Sequence, residues 1–344
     1  LINPKALEQA IADRIATFPE LADVANELAA RVSAIAMEKE SITNELLVDR
    51  NDVTRRVTAL QAQQRSLMTY HPLLTDAEMM CIKRPGTSPA LGLPCNWQSN
   101  CSLPKTGYRD ELIRLPVANT QHSEVVLFSP EKSAFLGDID LHWDAGRLLF
   151  SSIGGHDCWQ VFEVGIDGKG LRQVTPGLYD DVDNYDACYL PDDSILFTST
   201  RAYASVPCVN GSSRVANIFR MSPDGSGVRQ LCFDQEHNWC PTVMNDGRVL
   251  FTRWEYVDTP HTHSRLLFSM NPDGTQQMAF YGSNSYWPNA MFYTRPIPGH
   301  ASQVATIVSG HHGVARMGEL LILDPRLGRH EADGVVQRIP GRGK

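Results

Sequence analysis

Asp140-Leu-His-Trp-Asp-Ala-Gly-Arg-Leu-Leu-Phe150 reads as a strand, a tight Asp/Gly-type turn and a second, apolar strand. The same design returns at Asp186-Ala-Cys-Tyr-Leu-Pro-Asp-Asp-Ser-Ile-Leu-Phe197 and at Cys240-Pro-Thr-Val-Met-Asn-Asp-Gly-Arg-Val-Leu-Phe251. A further element follows each copy: Val161-Phe-Glu-Val-Gly-Ile-Asp-Gly168, Ile218-Phe-Arg-Met-Ser-Pro-Asp-Gly225 and Leu266-Leu-Phe-Ser-Met-Asn-Pro-Asp-Gly274. Each of these ends in an Asp-Gly pair, which turns the chain into one more short strand. Four strands recurring at a period of about fifty residues are the signature of β-propeller blades. A looser copy runs from Tyr286-Trp-Pro288 to Leu320-Leu-Ile-Leu-Asp324, and Val125-Val-Leu-Phe128 adds one strand ahead of the first copy.

The predicted fold is therefore mainly β, a partial propeller of about four blades over residues 123–344. Four blades and a strand cannot close a ring of six or seven. Open sheet edges are a liability that propellers abolish by closure. The remaining blades are accordingly expected beyond Lys344, in a chain truncated there.

Upstream, residues 1–69 are rich in Ala, Leu, Glu, Arg and Gln and read as an α-helical arm, with Pro19 placed to begin a second helix. Val32, Leu46, Val53, Leu60 and Leu67 share a seven-residue lattice whose one miss is Lys39, and Leu28, Ile35 and Ile42 fill the companion positions. That stripe predicts a coiled coil or a helical hairpin. It serves either as a stalk or a helix packed on the propeller, or as a zipper for a protein partner or a second copy. Residues 70–122 are punctuated by His71-Pro72, Arg84-Pro85-Gly86, Leu93-Pro94 and Leu103-Pro104. They read as an extended linker packed on the propeller, held by Trp97.

The chain has 344 residues, is 42% hydrophobic and 20% charged, and carries a net charge of -8. This balance argues against nucleic acid, which needs a basic stripe. No apolar run approaches the ~20 residues of a membrane span. No signal peptide is visible in a chain that begins at Leu1, as a processed product would. Eight cysteines include no CxxC and no CxxCH for haem. Cys95 and Cys101 flank a short loop that a disulfide would close, as do Cys232 and Cys240, although buried free thiols explain most of the set equally well.

From Leu91 onward the chain resembles the propeller-bearing proteins related to the alpha subunit of bacterial hydrazine synthase, a group within the TolB-like propellers. The resemblance is carried by Gly92-Leu-Pro-Cys-Asn-Trp-Gln-Ser-Asn100, Asp183-Asn-Tyr-Asp-Ala-Cys-Tyr189 and Cys232-Phe-Asp-Gln-Glu-His-Asn-Trp-Cys-Pro241. Gly282-Ser-Asn-Ser-Tyr-Trp-Pro288, Ser309-Gly-His-His-Gly313 and Arg329-His-Glu-Ala-Asp-Gly334 complete it. It implies an exported, periplasmic protein. Hydrazine synthase works through haems on CxxCH motifs with a zinc nearby. With no CxxCH here, a haem-bearing role requires that motif beyond Lys344, and a shared propeller does not confer a shared reaction.

Propeller sites usually line the central channel. The repeat alignment predicts Asp140, His142, Asp183, Asp186, His237, Trp239, Tyr286 and Trp287 around its mouth. Such groups are either polar plugs of a wet channel or ligands for a divalent cation, zinc, manganese or calcium. The metal reading draws on His142, His237 and the adjacent pair His311 and His312, with Cys208 added by the zinc of the resembled enzyme. His261 and His263 are weaker candidates, and Asp180–Asp186 lacks the glycine and closing glutamate of a calcium loop. No nucleophile elbow, phosphate loop or dinucleotide fingerprint is present. Two functions follow: a binding or scaffold propeller, in a redox complex if the resemblance extends that far, or a metal-dependent propeller enzyme of the lyase kind.

Overall fold

The computed structural model describes residues 3–45, 50–94, 103–117, 124–207, 211, 213–255, 265–310 and 317–339. The chain divides into two compact units, residues 1–81 with 113–125, and residues 82–112 with 126–344.

The first unit holds the α-helices. Asn3 caps α1 (Pro4–Thr17) by accepting the Lys5 N–H at 3.0 Å, and Pro4 takes the first helical position, where its missing N–H costs nothing. A 3-10 turn, Pro19–Val24, leads into α2 (Ala25–Glu45), which is followed by α3 (Arg50–Met68). Arg56 pairs with Glu38 at 2.8 Å and donates to Ser41, while Arg31 donates to Ser66, so α2 and α3 run antiparallel. Their seam buries Leu28, Val32, Ile35, Ile42, Leu60 and Leu67, joined by Leu7 and Ile11 of α1. The heptad lattice is thus spent on a hairpin within the chain; Val53 is half-buried beside it and Leu46 lies outside the described residues. No helix among the described residues is long and apolar enough to cross a membrane.

Among the described residues the β-structure forms five sheets, where the repeat spacing had pointed to about four blades. Four have four strands in sequential order: β4–β7 (Gly137–Leu141, Arg147–Ile153, Trp159–Gly165, Arg172–Gln173), β8–β11 (Asn184–Tyr189, Ile195–Ser199, Asn217–Met221, Arg229–Gln230), β12–β15 (Asn238–Val243, Val249–Trp254, Arg265–Met270, Met278–Tyr281) and β16–β19 (Met291–Pro296, Val304–Val308, Glu319–Leu323, Val335–Ile339). The fifth has three strands, β1 (Glu78–Lys83), β2 (Glu111–Pro116) and β3 (Val125–Phe128). Two of these lie in the segment read as linker. They escape a repeat search because no Asp-Gly hairpin joins them and residues 84–110 intervene. The count of about four blades, and the total of six or seven built on it, are therefore corrected to the five sheets seen here.

Glycine geometry shows why β3 behaves as a blade's outermost strand. Gly168, Gly225 and Gly274 sit in the turns just after the third strands of successive blades, with φ of +79°, +82° and +88°. A Cβ at Gly168 would meet the Leu127 carbonyl oxygen at 2.6 Å, one at Gly225 the Val174 oxygen at 2.6 Å, and one at Gly274 the Leu231 oxygen at 3.2 Å. Leu127 therefore stands to the β4–β7 blade as Val174 and Leu231, just past β7 and β11, stand to the next two. Glycine is needed both for the left-handed turn and for this approach.

Each inner strand carries the same bulge. Asp138, Asp186, Cys240 and Tyr293 have φ of 53°, 53°, 54° and 53°, and the ladder slips one step beside each. Asp186 holds its bulge through the Ser151 hydroxyl, which accepts its N–H at 2.9 Å, and through its own carboxylate, which accepts the Cys240 N–H at 2.6 Å. The bulges bring Asp140, Cys188, Thr242 and Arg295 to one equivalent position in four blades.

Candidate functional site

The two ends of the inner strands differ. At their N-terminal ends Phe135, Trp159, Tyr185, Trp239, Trp254 and Phe292 form one buried cluster, and Leu93, Leu103 and Tyr108 from the segment before β2 are packed into it. That segment is pinned by Arg84, whose guanidinium takes both oxygens of buried Asp110 at 2.9 and 2.6 Å and the Leu136 carbonyl at 2.8 Å. Arg84 also stacks 4.8 Å from the Phe135 ring. An aromatic plug with a strap over it closes this end.

At the C-terminal ends a cavity of about 1060 Å³ opens, lined by all four inner strands and the hairpins that follow them. Asp140, Thr242 and Arg295 line it from the inner strands, with apolar Ile139, Val243 and Met244 beside them and Trp143, Asn245 and His300 from the turns that follow. Cys188, at the fourth equivalent position, is fully buried, and burial holds its thiol well above the usual range. Asp140 accepts the Tyr189 N–H at 2.9 Å, and burial raises its acid, opposed by that bond and by the charge of Arg295. Among the described residues Arg295 makes no ion pair, and its Nη1 is buried without a hydrogen-bond partner. Trp143 is 59% exposed, as a docking surface would be.

The residues singled out from sequence fall on both ends. Asp140 lines the cavity. His142, just past β4, is held between Asp193 on Nε2 and Asp144 on Nδ1, each at 2.7 Å, with Arg147 beside it and its ring edge-on to Tyr189. Asp183 accepts the Trp159 N–H at 2.8 Å, and Asp186 serves the bulge. His237 and Trp239 belong to the plug, their rings stacked 4.7 Å apart. Tyr286 and Trp287 precede β16, where both backbone N–H groups donate to Glu331. Cys95, Cys101, Cys208, His261, His263, His311, His312 and Trp97 lie outside the described residues.

His237 is fully buried, and its Nδ1 accepts the Ala216 N–H at 3.0 Å. Burial, then the charge of Arg265, lower its pKa to about 3. The neutral ring therefore carries its hydrogen on Nε2 and offers no free lone pair to a cation. Among the described residues no group of three or more His, Cys, Asp or Glu side chains is arranged to hold a metal. Sequence reading missed Arg295, Thr242, Trp143, Asn245 and His300. Aligning the bulges, rather than the Asp-Gly turns, would have set Arg295 opposite Asp140.

Comparisons with known proteins agree with this architecture. No family model matches the chain, and no curated protein does. Among solved structures, hydrazine synthase of Kuenenia stuttgartiensis superposes with a TM-score of 0.54 at 15% identity, over 76% of this chain and 39% of that one. TolB of Acinetobacter baumannii gives 0.44 at 15% identity, over 68% and 50%, and a putative TolB of Agrobacterium tumefaciens gives 0.39 at 18%, over 50% and 56%. The chain thus spans well under two thirds of each. At this identity the hydrazine synthase likeness shows the fold alone, a β-propeller.

Proposed function

We propose that this chain is a binding propeller whose ligand site is the open mouth of its channel. One observation carries the reading: the inner strands are plugged and strapped at one end and open at the other onto Asp140 and Arg295, which form no ion pair among the described residues. Buried polar groups without partners are costly unless something else satisfies them. A concave, mostly apolar cavity with a few convergent polar groups is what small-ligand sites look like. The metal-dependent alternative draws less support, since His142 is held by carboxylates at one end of β4 and His237 is committed at the opposite end of β12. Export, kinship with the hydrazine synthase alpha group and a scaffold role in a redox complex belong to the same proposal, on the strength of the sequence motifs. So does association through the helical unit.

The test is a thermal-shift screen of small polar metabolites against the wild type and Ala301→Trp. Ala301 is an exposed residue of the cavity lining, so a tryptophan there fills the mouth without touching the core. Compounds near 100 times their Kd stabilise by about 2.7 kcal/mol. They are expected to shift the wild type and not the variant. Hits unaffected by Ala301→Trp, or no hits, would overturn the reading.

A further inference from the structure

The four equivalent inner-strand positions carry one acid, one base and two neutral groups, Asp140, Arg295, Cys188 and Thr242, all but Cys188 lining the cavity. Among the described residues neither Asp140 nor Arg295 forms an ion pair, although each lies within electrostatic reach of the other. Asp140 spends one oxygen on the Tyr189 N–H. Arg295 has an Nη1 that is buried and unbonded. The neighbouring charges are already matched: Arg147 sits against Asp144, Asp193 and Glu163, and Asp192 pairs with Arg220. His300 uses Nδ1 to accept the Gln303 N–H. A carboxyl group and a guanidinium in one concave site, neither held in an ion pair among the described residues, are therefore what the mouth presents.

We infer that the mouth takes a zwitterionic ligand of the amino-acid or short-peptide class, its carboxylate on the Arg295 guanidinium and its ammonium on the Asp140 carboxylate. This rests on the binding reading above. Arginine offers a planar fork matched to a carboxylate, which an ammonium would not reproduce. A purely anionic ligand would leave Asp140 facing it unpaired, and a purely cationic one would do the same to Arg295. Discrimination then comes from the penalty of a desolvated unpaired charge as much as from attraction. Apolar Ile139, Val243 and Met244, with exposed Trp143 in the turn that follows β4, leave room for a side chain. The cavity volume suits a di- or tripeptide.

The experiment is calorimetric titration with the dipeptide alanyl-phenylalanine, its N-acetyl derivative, its C-terminal amide and its cyclic anhydride, which has neither charge. The parent is expected to bind, with each singly blocked derivative at least tenfold weaker and the cyclic form weaker still. Arg295→Met is expected to abolish the preference for acid over amide, and Asp140→Asn the preference for free amine over acetyl. If either variant fails to fold, the ligand series on the wild type decides alone. Equal binding of parent and blocked forms, no binding of the parent at millimolar concentration, or binding retained by Ala301→Trp would overturn the inference. Uncharged compounds that stabilise the wild type but not Ala301→Trp would sink it while leaving the binding reading intact.

Discussion

Buried polar side chains do the specifying in this fold. Asp186 sits at φ 53° and accepts the Cys240 N–H across to the next blade. Asp186→Ala keeps the strained backbone and orphans a buried N–H, so it should cost about 2 kcal/mol or more in urea unfolding. A loss under about 0.5 kcal/mol would mean the inter-blade bond is not holding the bulge. Glu236 is 1% exposed with both carboxylate oxygens unbonded, and burial, opposed by the charge of Arg265, pushes its acid from 4.5 up to about 7. The folded state thus binds more protons than the unfolded one from 4.5 to about 7. That contribution to stability is complete below the window and is lost as pH rises through it. Adjacent His237, lowered from 6.5 to about 3, acts oppositely, contributing above 6.5 and losing its contribution as pH falls toward 3. Glu236→Gln should therefore stabilise the protein at pH 8 by on the order of 2 kcal/mol and leave it little changed at pH 4. A gap of the same size at both pH values would mean that Glu236 does not titrate in the folded state.

Elements repeat because their turns do. The Asp-Gly corners combine a left-handed glycine with an aspartate that accepts the N–H two residues on, as Asp224 does for Ser226 at 2.9 Å. Gly225→Ala meets both a φ of +82° and the Val174 oxygen at 2.6 Å, so it should lower stability by about 2 kcal/mol or more in the same urea assay. A neutral result would show that blades tolerate more separation than the close approach implies. These corners were legible in the sequence because they are local chemistry, and three blades were read from them directly. Of the β1–β3 sheet only β3 was legible, as Val125–Phe128. β1 and β2 are separated by residues 84–110 and meet through pairing, which leaves no turn signature. In the helical unit the heptad lattice was visible, but a stripe of Val32, Ile35, Ile42, Leu60 and Leu67 cannot say whether its partner helix lies within the chain.

At the scale of the molecule, the proposed binding role turns on the asymmetry between the two ends of the inner strands. Asp140 was marked from sequence and lines the cavity, whereas His237 and Trp239 were marked alongside it and belong to the plug. The turn-based alignment compared residues before and after the inner strands as though they shared one end. Arg295 stayed hidden because its blade copy lacks the Asp-Gly corner and places Pro298-Gly299 there instead. The decisive measurement is a crystal structure of the protein with the most strongly stabilising compound from the screen. Density for the compound in the cavity, within hydrogen-bond reach of Arg295, is the expected result. Density at the strapped end around Tyr108 and Trp239, or on the helical unit, with the mouth left empty, would contradict it.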